Sequence, residues 1–111
     1  MAQVRDPIEP RYLCTDAASM PWRASAVADG VEVKDLGKAN GRAMQLVRCR
    51  PGGAFPPIAM PGQSFIYMLA GEAIQNGQRL GPGWAGVAAS GTLDERFRSE
   101  TGCVFLIVYS E

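Results

Sequence analysis

Histidine is absent from this chain of 111 residues. That one absence removes histidine-based triads, histidine general bases and every histidine-ligated metal site. A charge excess is absent as well, because eleven Lys and Arg balance eleven Asp and Glu. Neither a basic footprint for nucleic acid nor an acidic tail is present. Cysteine is scarce: Cys14, Cys49 and Cys103 are odd in number and share no CxxC spacing, which reads as reduced thiols in a cytoplasmic protein. The first residues carry Arg5, Asp6 and Glu9 with Pro7 and Pro10 and no apolar stretch of the signal-peptide kind. The longest apolar run, Phe65 to Ala70, is far too short to cross a bilayer. The expectation is a cytoplasmic protein with neither nucleic acid nor membrane as a partner.

What is present describes one globular domain, 47% hydrophobic and 20% charged. Thirteen glycines and eight prolines interrupt it too often for long helices. Residues 1–22, with Pro7, Pro10 and Pro21, read as an extended arm lying on the body and anchored through Tyr12, Leu13 and Trp22. Residues 23–111 read as a β-barrel. Val31-Glu-Val-Lys-Asp-Leu36 alternates apolar and polar, the mark of a strand with one wet face. After a turn over Lys38–Gly41, residues 42–50 favour a second strand, and Pro51-Gly52-Gly53 ends it. Residues 63–70, 84–89, 95–99 and 103–109 supply further strands, and Asn76-Gly77 predicts a type I′ hairpin between 73–75 and 78–80. Many short strands with closely spaced turns indicate an all-β sandwich or barrel.

Charge is unevenly spread. Between Pro51 and Leu93 the only charged side chains are Glu72 and Arg79, so this stretch is expected to lie deep in the fold or against a partner subunit. An all-β domain of this size must also manage its exposed edges, for which a homodimer is a common solution.

Two glycine-framed spacings identify the family. Gly52 is followed after five residues by Ile58-Ala59-Met60, after three more by Ser64, and after six more by Gly71. Further on, Gly83, Ala89, Ser90, Gly91, Asp94 and Arg98 keep a second set of intervals. Together with the phrases Pro51-Gly-Gly-Ala-Phe-Pro, Leu69-Ala-Gly-Glu and Leu80-Gly-Pro-Gly-Trp, these resemble the two motifs of the cupin superfamily over roughly residues 20–109. Trp22, Gly30-Val31 and Lys34-Asp35-Leu36 resemble small bacterial cupins related to dioxygenases and to the cupin half of certain anti-sigma factors. The resemblance implies an all-β, cupin-type jelly-roll barrel.

In that family two histidines and a glutamate of the first motif and a histidine of the second hold a divalent metal. By position they are Ile58, Met60, Ser64 and Asp94 here. Isoleucine offers no donor, methionine a soft thioether, serine a neutral hydroxyl, and one carboxylate does not hold Fe, Mn or Zn against water. No metal and no other cofactor is expected.

Alternation places Ile58 with Met60 on one face, and Ser64, Ile66 and Met68 on one face. If the family's orientation holds, all five point inward, with Val47 and Cys49 as neighbours, and the lumen is apolar. Filling the core and lining a dry pocket for a small apolar or aromatic molecule are both open readings. Asp94 shares an alternation with Arg96 and Arg98. An ion pair closing the barrel mouth is the plainer fate. An unpaired Asp94 near Ser64 is the catalytic one, with Arg96 as a clamp for a ligand carboxylate. Phe65 and Tyr67 fall on the opposite alternation, toward the second sheet or a dimer partner. Cys49 lacks a histidine to activate it, though Arg48 or Arg50 would lower its pKa.

Three functions follow. The leading one is a metal-free cupin barrel that binds a small apolar or aromatic molecule in its lumen. The second is a metal-independent isomerase, cyclase or lyase, or an altered relative of the cupin dioxygenases, using Asp94 and Arg96. The third is a non-catalytic dimeric scaffold with a filled barrel.

Overall fold

In the computed structural model, residues 12–26, 28–55, 58–59, 62–94 and 97–110 are described, with the backbone alone at 58–59 and 93–94. Strands dominate, and the only helical turn among the described residues is a 3-10 turn at Ala17–Ser19 capped by the Asp16 carboxylate.

The larger sheet is antiparallel and six-stranded. Across it run β1 (Arg23–Ala24), β2 (Val31–Ala39), β3 (Arg42–Cys49), β12 (Cys103–Ser110), β6 (Ser64–Gly71) and β9 (Ala85–Ala88). The long strands end where the sequence places turn residues. Asn40-Gly41 joins β2 to β3 and Asn76-Gly77 joins β7 (Ala73–Gln75) to β8 (Gln78–Leu80). All four residues have positive φ (53°, 76°, 49° and 81°), the backbone of a type I′ turn, which asparagine and glycine tolerate best.

The second sheet is built around β4 (Gly53–Ala54), β11 (Arg98–Ser99), β7 and β8. Gly53 and Ala54 lie opposite Ser99 and Arg98, and the Phe55 amide donates to the Phe97 carbonyl at 3.0 Å. Beyond them β5 (Ile58–Ala59) pairs with β10 (Leu93–Asp94) in the same register, Ile58 opposite Asp94. β4 with β5, and β10 with β11, are therefore two interrupted strands that cross the barrel together.

Between the sheets the core is strongly apolar. Val31, Val33, Val47, Cys49, Met68, Cys103 and Phe105 come from the large sheet, and Ala73 and Phe97 from the smaller side. Phe97 meets Phe55 and Phe105 edge-on, at ring separations of 5.5 and 5.3 Å, a geometry that adds to the area each ring buries. Ser99 is fully buried and donates to the Glu72 carbonyl at 2.6 Å, so its hydroxyl is satisfied.

The arm is held differently from the sequence expectation. Tyr12 and Leu13 are exposed, Tyr12 by 96%, and anchor nothing. Trp22 does the anchoring. The Lys34 ammonium and the Arg48 guanidinium lie 4.7 and 4.3 Å from its ring, and Lys34 also donates to the Ala17 carbonyl at 2.7 Å. An aromatic face and a carbonyl together hold a nearly buried cation on the outer side of β2. Residues 1–11 of the arm lie outside the described residues.

Candidate functional site

Strand register divides the inner face of the large sheet into rows running across the strands. Val31, Cys49, Cys103 and Gly71 form one row. Arg23, Val33, Val47, Phe105 and Met68 form the next. In these two rows every apolar side chain is buried, Met68 to 1% exposure, against the Phe55–Phe97–Phe105 cluster. This end of the barrel is closed.

The other end differs in part: Ala43 and Ser64 are buried there as well, while the row of Ile66 and Ile107 is only partly covered. The third row is Asp35, Gln45, Ile107, Ile66 and Gly86, and the fourth is Lys38, Ala43, Tyr109, Ser64 and Ala88. Ile66 and Ile107 pack on the core yet keep part of their surface exposed. Gly86, opposite Ile66, has open space where a side chain would stand: among the described residues nothing lies within 4 Å of an added Cβ.

Asp35 is the centre of a polar trio in this third row. Arg23 reaches it from the edge strand with Nε and Nη2, at 2.8 and 2.7 Å from Oδ2. Gln45, directly opposite on β3, donates from Nε2 to Oδ1 at 2.6 Å. Because a carboxylate only accepts, the Gln45 nitrogen must be the atom facing it, which leaves the amide oxygen as an acceptor. Sequence reading passed over this trio. The alternation of Val31, Val33 and Asp35 already put Asp35 with the buried valines; Arg23 gave no local signal, since its strand has two residues and pairs only at long range.

The expected site residues are distributed as follows. Ser64, Ile66 and Met68 share the inner face of β6, Ser64 and Met68 buried and Ile66 at the open end. Val47 and Cys49 are their neighbours in the core. Ile58 and Asp94 are brought directly opposite one another in the ladder. Met60 and Arg96 lie outside the described residues. Arg98 is exposed and donates to Glu100 at 2.7 Å.

Of the two settings expected for Phe65 and Tyr67, the second sheet is the one the fold excludes, and the expectation for the Cys49 thiol is corrected. Phe65 and Tyr67 do not face the second sheet, which packs on the opposite side of β6, and both are well exposed on the outer face. The low-charge stretch is consequently not all deep: Leu69, Trp84 and Val87 are exposed too, Val87 by 76%. Nor do arginines activate Cys49. Arg48 and Arg50 both engage Glu32, at 2.9 and 3.6 Å, and these strand positions alternate away from the face of Cys49. Hydrogen bonding with Cys103, its direct cross-strand partner, and burial push the Cys49 thiol far above its ordinary range.

Serine in place of glutamate at position 64, with isoleucine and methionine at 58 and 60, gives a donor set that does not fit a divalent metal. Among the described residues no cluster of His, Cys, Asp or Glu has the arrangement of a metal site.

An antiparallel two-sheet barrel of short strands is the architecture of a cupin. More narrowly, residues 11–111 match the ChrR cupin-like domain, and the chain belongs to that family. It matches no curated protein sequence. Among solved structures it is similar to the anti-sigma ChrR of Rhodobacter sphaeroides in complex with SigE (TM-score 0.72, 20% identity, 86% of this chain). The matched region is 51% of ChrR, so this chain spans about half of that protein. It is also similar to the polyketide cyclase RemF of Streptomyces resistomycificus (TM-score 0.77, 18% identity, 90% of this chain and 80% of that one). A third is a putative acetylacetone dioxygenase of Methylibium petroleiphilum PM1 (TM-score 0.79, 13% identity, 97% and 81%). At such identities the likeness is one of fold, and it ranges from an anti-sigma factor to a cyclase and a dioxygenase.

Proposed function

We propose that this cupin domain binds a small apolar or aromatic molecule at the open end of its barrel, over Ile66 and Ile107. The observation that carries the reading is that, among the described residues, nothing stands within 4 Å of a Cβ added at Gly86, beside the partly exposed Ile66 and one row from a packed core. A barrel serving only as a scaffold has no reason to leave apolar side chains uncovered on its inner face, where filling the space would stabilise it.

A thermal-shift panel of small aromatic and aliphatic compounds tests this. At least one class should raise the Tm, since a ligand at a hundred times its Kd stabilises by about 2.7 kcal/mol. Gly86→Leu, which fills the open space without touching the core, should abolish that rise. A panel with no stabilising compound, or one whose effect persists unchanged in Gly86→Leu, contradicts the proposal.

A further inference from the structure

We infer that Arg23, Asp35 and Gln45 form the polar end of the binding site and select a neutral, hydroxyl-bearing aromatic ligand over the carboxylate of the same ring. The inference rests on the binding reading above and adds the class of ligand. It begins with position. Gln45 and Ile107 are directly opposite in one row, and Ile107 and Ile66 are the next pair along it. Adjacent strands lie about 4.8 Å apart, so the polar trio is a single ring's width from the apolar floor. Arg23 and Asp35 remain 39% and 29% exposed at the side chain, so a ligand can reach them.

Because the pair is partly exposed, its groups keep part of their hydration until a ligand covers them.

Chemistry then sets the preference. Both oxygens of Asp35 are engaged and its charge is balanced by Arg23, leaving the trio neutral. Lys38, one row nearer the mouth, is itself engaged in an interaction and is not a spare cation. Among the described residues a ligand carboxylate would therefore approach the Asp35 carboxylate with no unclaimed positive charge to offset it. A phenolic hydroxyl is suited instead. It donates to the Gln45 amide oxygen and accepts from the guanidinium, which has five N–H donors and directs Nε and Nη2 at Asp35.

Titration calorimetry with 4-ethylphenol, 4-ethylbenzoate and ethylbenzene at neutral pH is the test. The phenol should bind at least about tenfold more tightly than the benzoate, and about tenfold more tightly than ethylbenzene, the worth of one or two hydrogen bonds. Gln45→Leu, of similar size and checked for native circular dichroism, should erase the advantage over ethylbenzene. Arg48→Gln, on the outer face, should leave all three affinities unchanged. A benzoate that binds as tightly as the phenol overturns the inference, as does a Gln45→Leu variant with wild-type discrimination. The wild-type ratios decide the matter alone should Gln45→Leu fail to fold. If ethylbenzene matches the phenol, this inference falls while the apolar site stands. If none of the three binds, both fall.

Discussion

Met68 and Ile66 stand on the same strand and the same face, one row apart, and truncating each in turn measures the difference between the two ends of the barrel. Met68 is 1% exposed and packs among Val47, Phe105 and the aromatic cluster. Met68→Ala removes buried carbon and leaves a hole that close-packed neighbours cannot fill, so it should cost about 2–5 kcal/mol. Ile66 packs on the core from one side only and keeps part of its surface in contact with solvent. In Ile66→Ala the vacated space joins space already open beside Gly86, so the cavity penalty largely disappears. Only a fraction of the transfer free energy is lost, about 1–2 kcal/mol. Urea denaturation monitored by circular dichroism gives both values, with unchanged m-values showing that the same surface unfolds. In thermal melts each kcal/mol corresponds to about 4–8 °C for a domain of this size. The reasoning is refuted if Ile66→Ala costs as much as Met68→Ala, because the upper end would then be packed like the lower.

Three other outcomes are expected. In the native protein Cys14 alone should react promptly with a thiol reagent, because it is exposed while Cys49 and Cys103 are buried opposite each other; rapid labelling of all three contradicts the packing of that row. Glu32 accepts from Arg48, which holds its carboxyl below the usual carboxylate range. A depressed folded-state pKa makes the unfolded chain the better proton acceptor, so this contribution is complete at neutral pH and fades as pH falls through the folded value. The stability difference between wild type and Glu32→Gln should accordingly shrink from about pH 7 to about pH 3, and a gap that widens in acid refutes it. We propose finally that two copies associate through the outer face of β6, where Phe65, Tyr67 and Val87 are exposed. A two-fold interface sets a patch against its own copy, so a face without charge meets no self-repulsion. Sedimentation should show a dimer that Tyr67→Lys dissociates; a monomeric wild type contradicts it.

Much of the fold was legible because its signals are local. Alternation in 31–36 marks β2, Asn-Gly pairs mark two hairpin turns, and glycine-framed intervals mark the barrel's two motifs. The two-residue strands β1, β4, β5 and β10 were not, since each is too short to show a period and owes its pairing to distant partners. For the site, the shared face of Ser64, Ile66 and Met68 was readable from the alternation. Asp35 was readable in principle but overshadowed, because a strand with a wet face offers a ready place for every charge. Its register beside Gln45 and its union with Arg23 are long-range facts that no local pattern carries. Trp22 lies against two cations and Tyr12 is exposed, a difference the sequence does not carry, since aromatic character alone does not tell which ring finds a cation beside it.

The claim on which the rest depends is that the barrel has one filled end and one receptive end. Methyl-labelled isoleucine makes this visible in a single NMR titration with 4-ethylphenol. The Ile66 and Ile107 methyl signals should move together along one saturable curve, while Ile74, paired with exposed Arg79 and Arg98 on the smaller sheet, stays still. Saturable shifts at Ile74 with Ile66 and Ile107 unmoved would contradict the account.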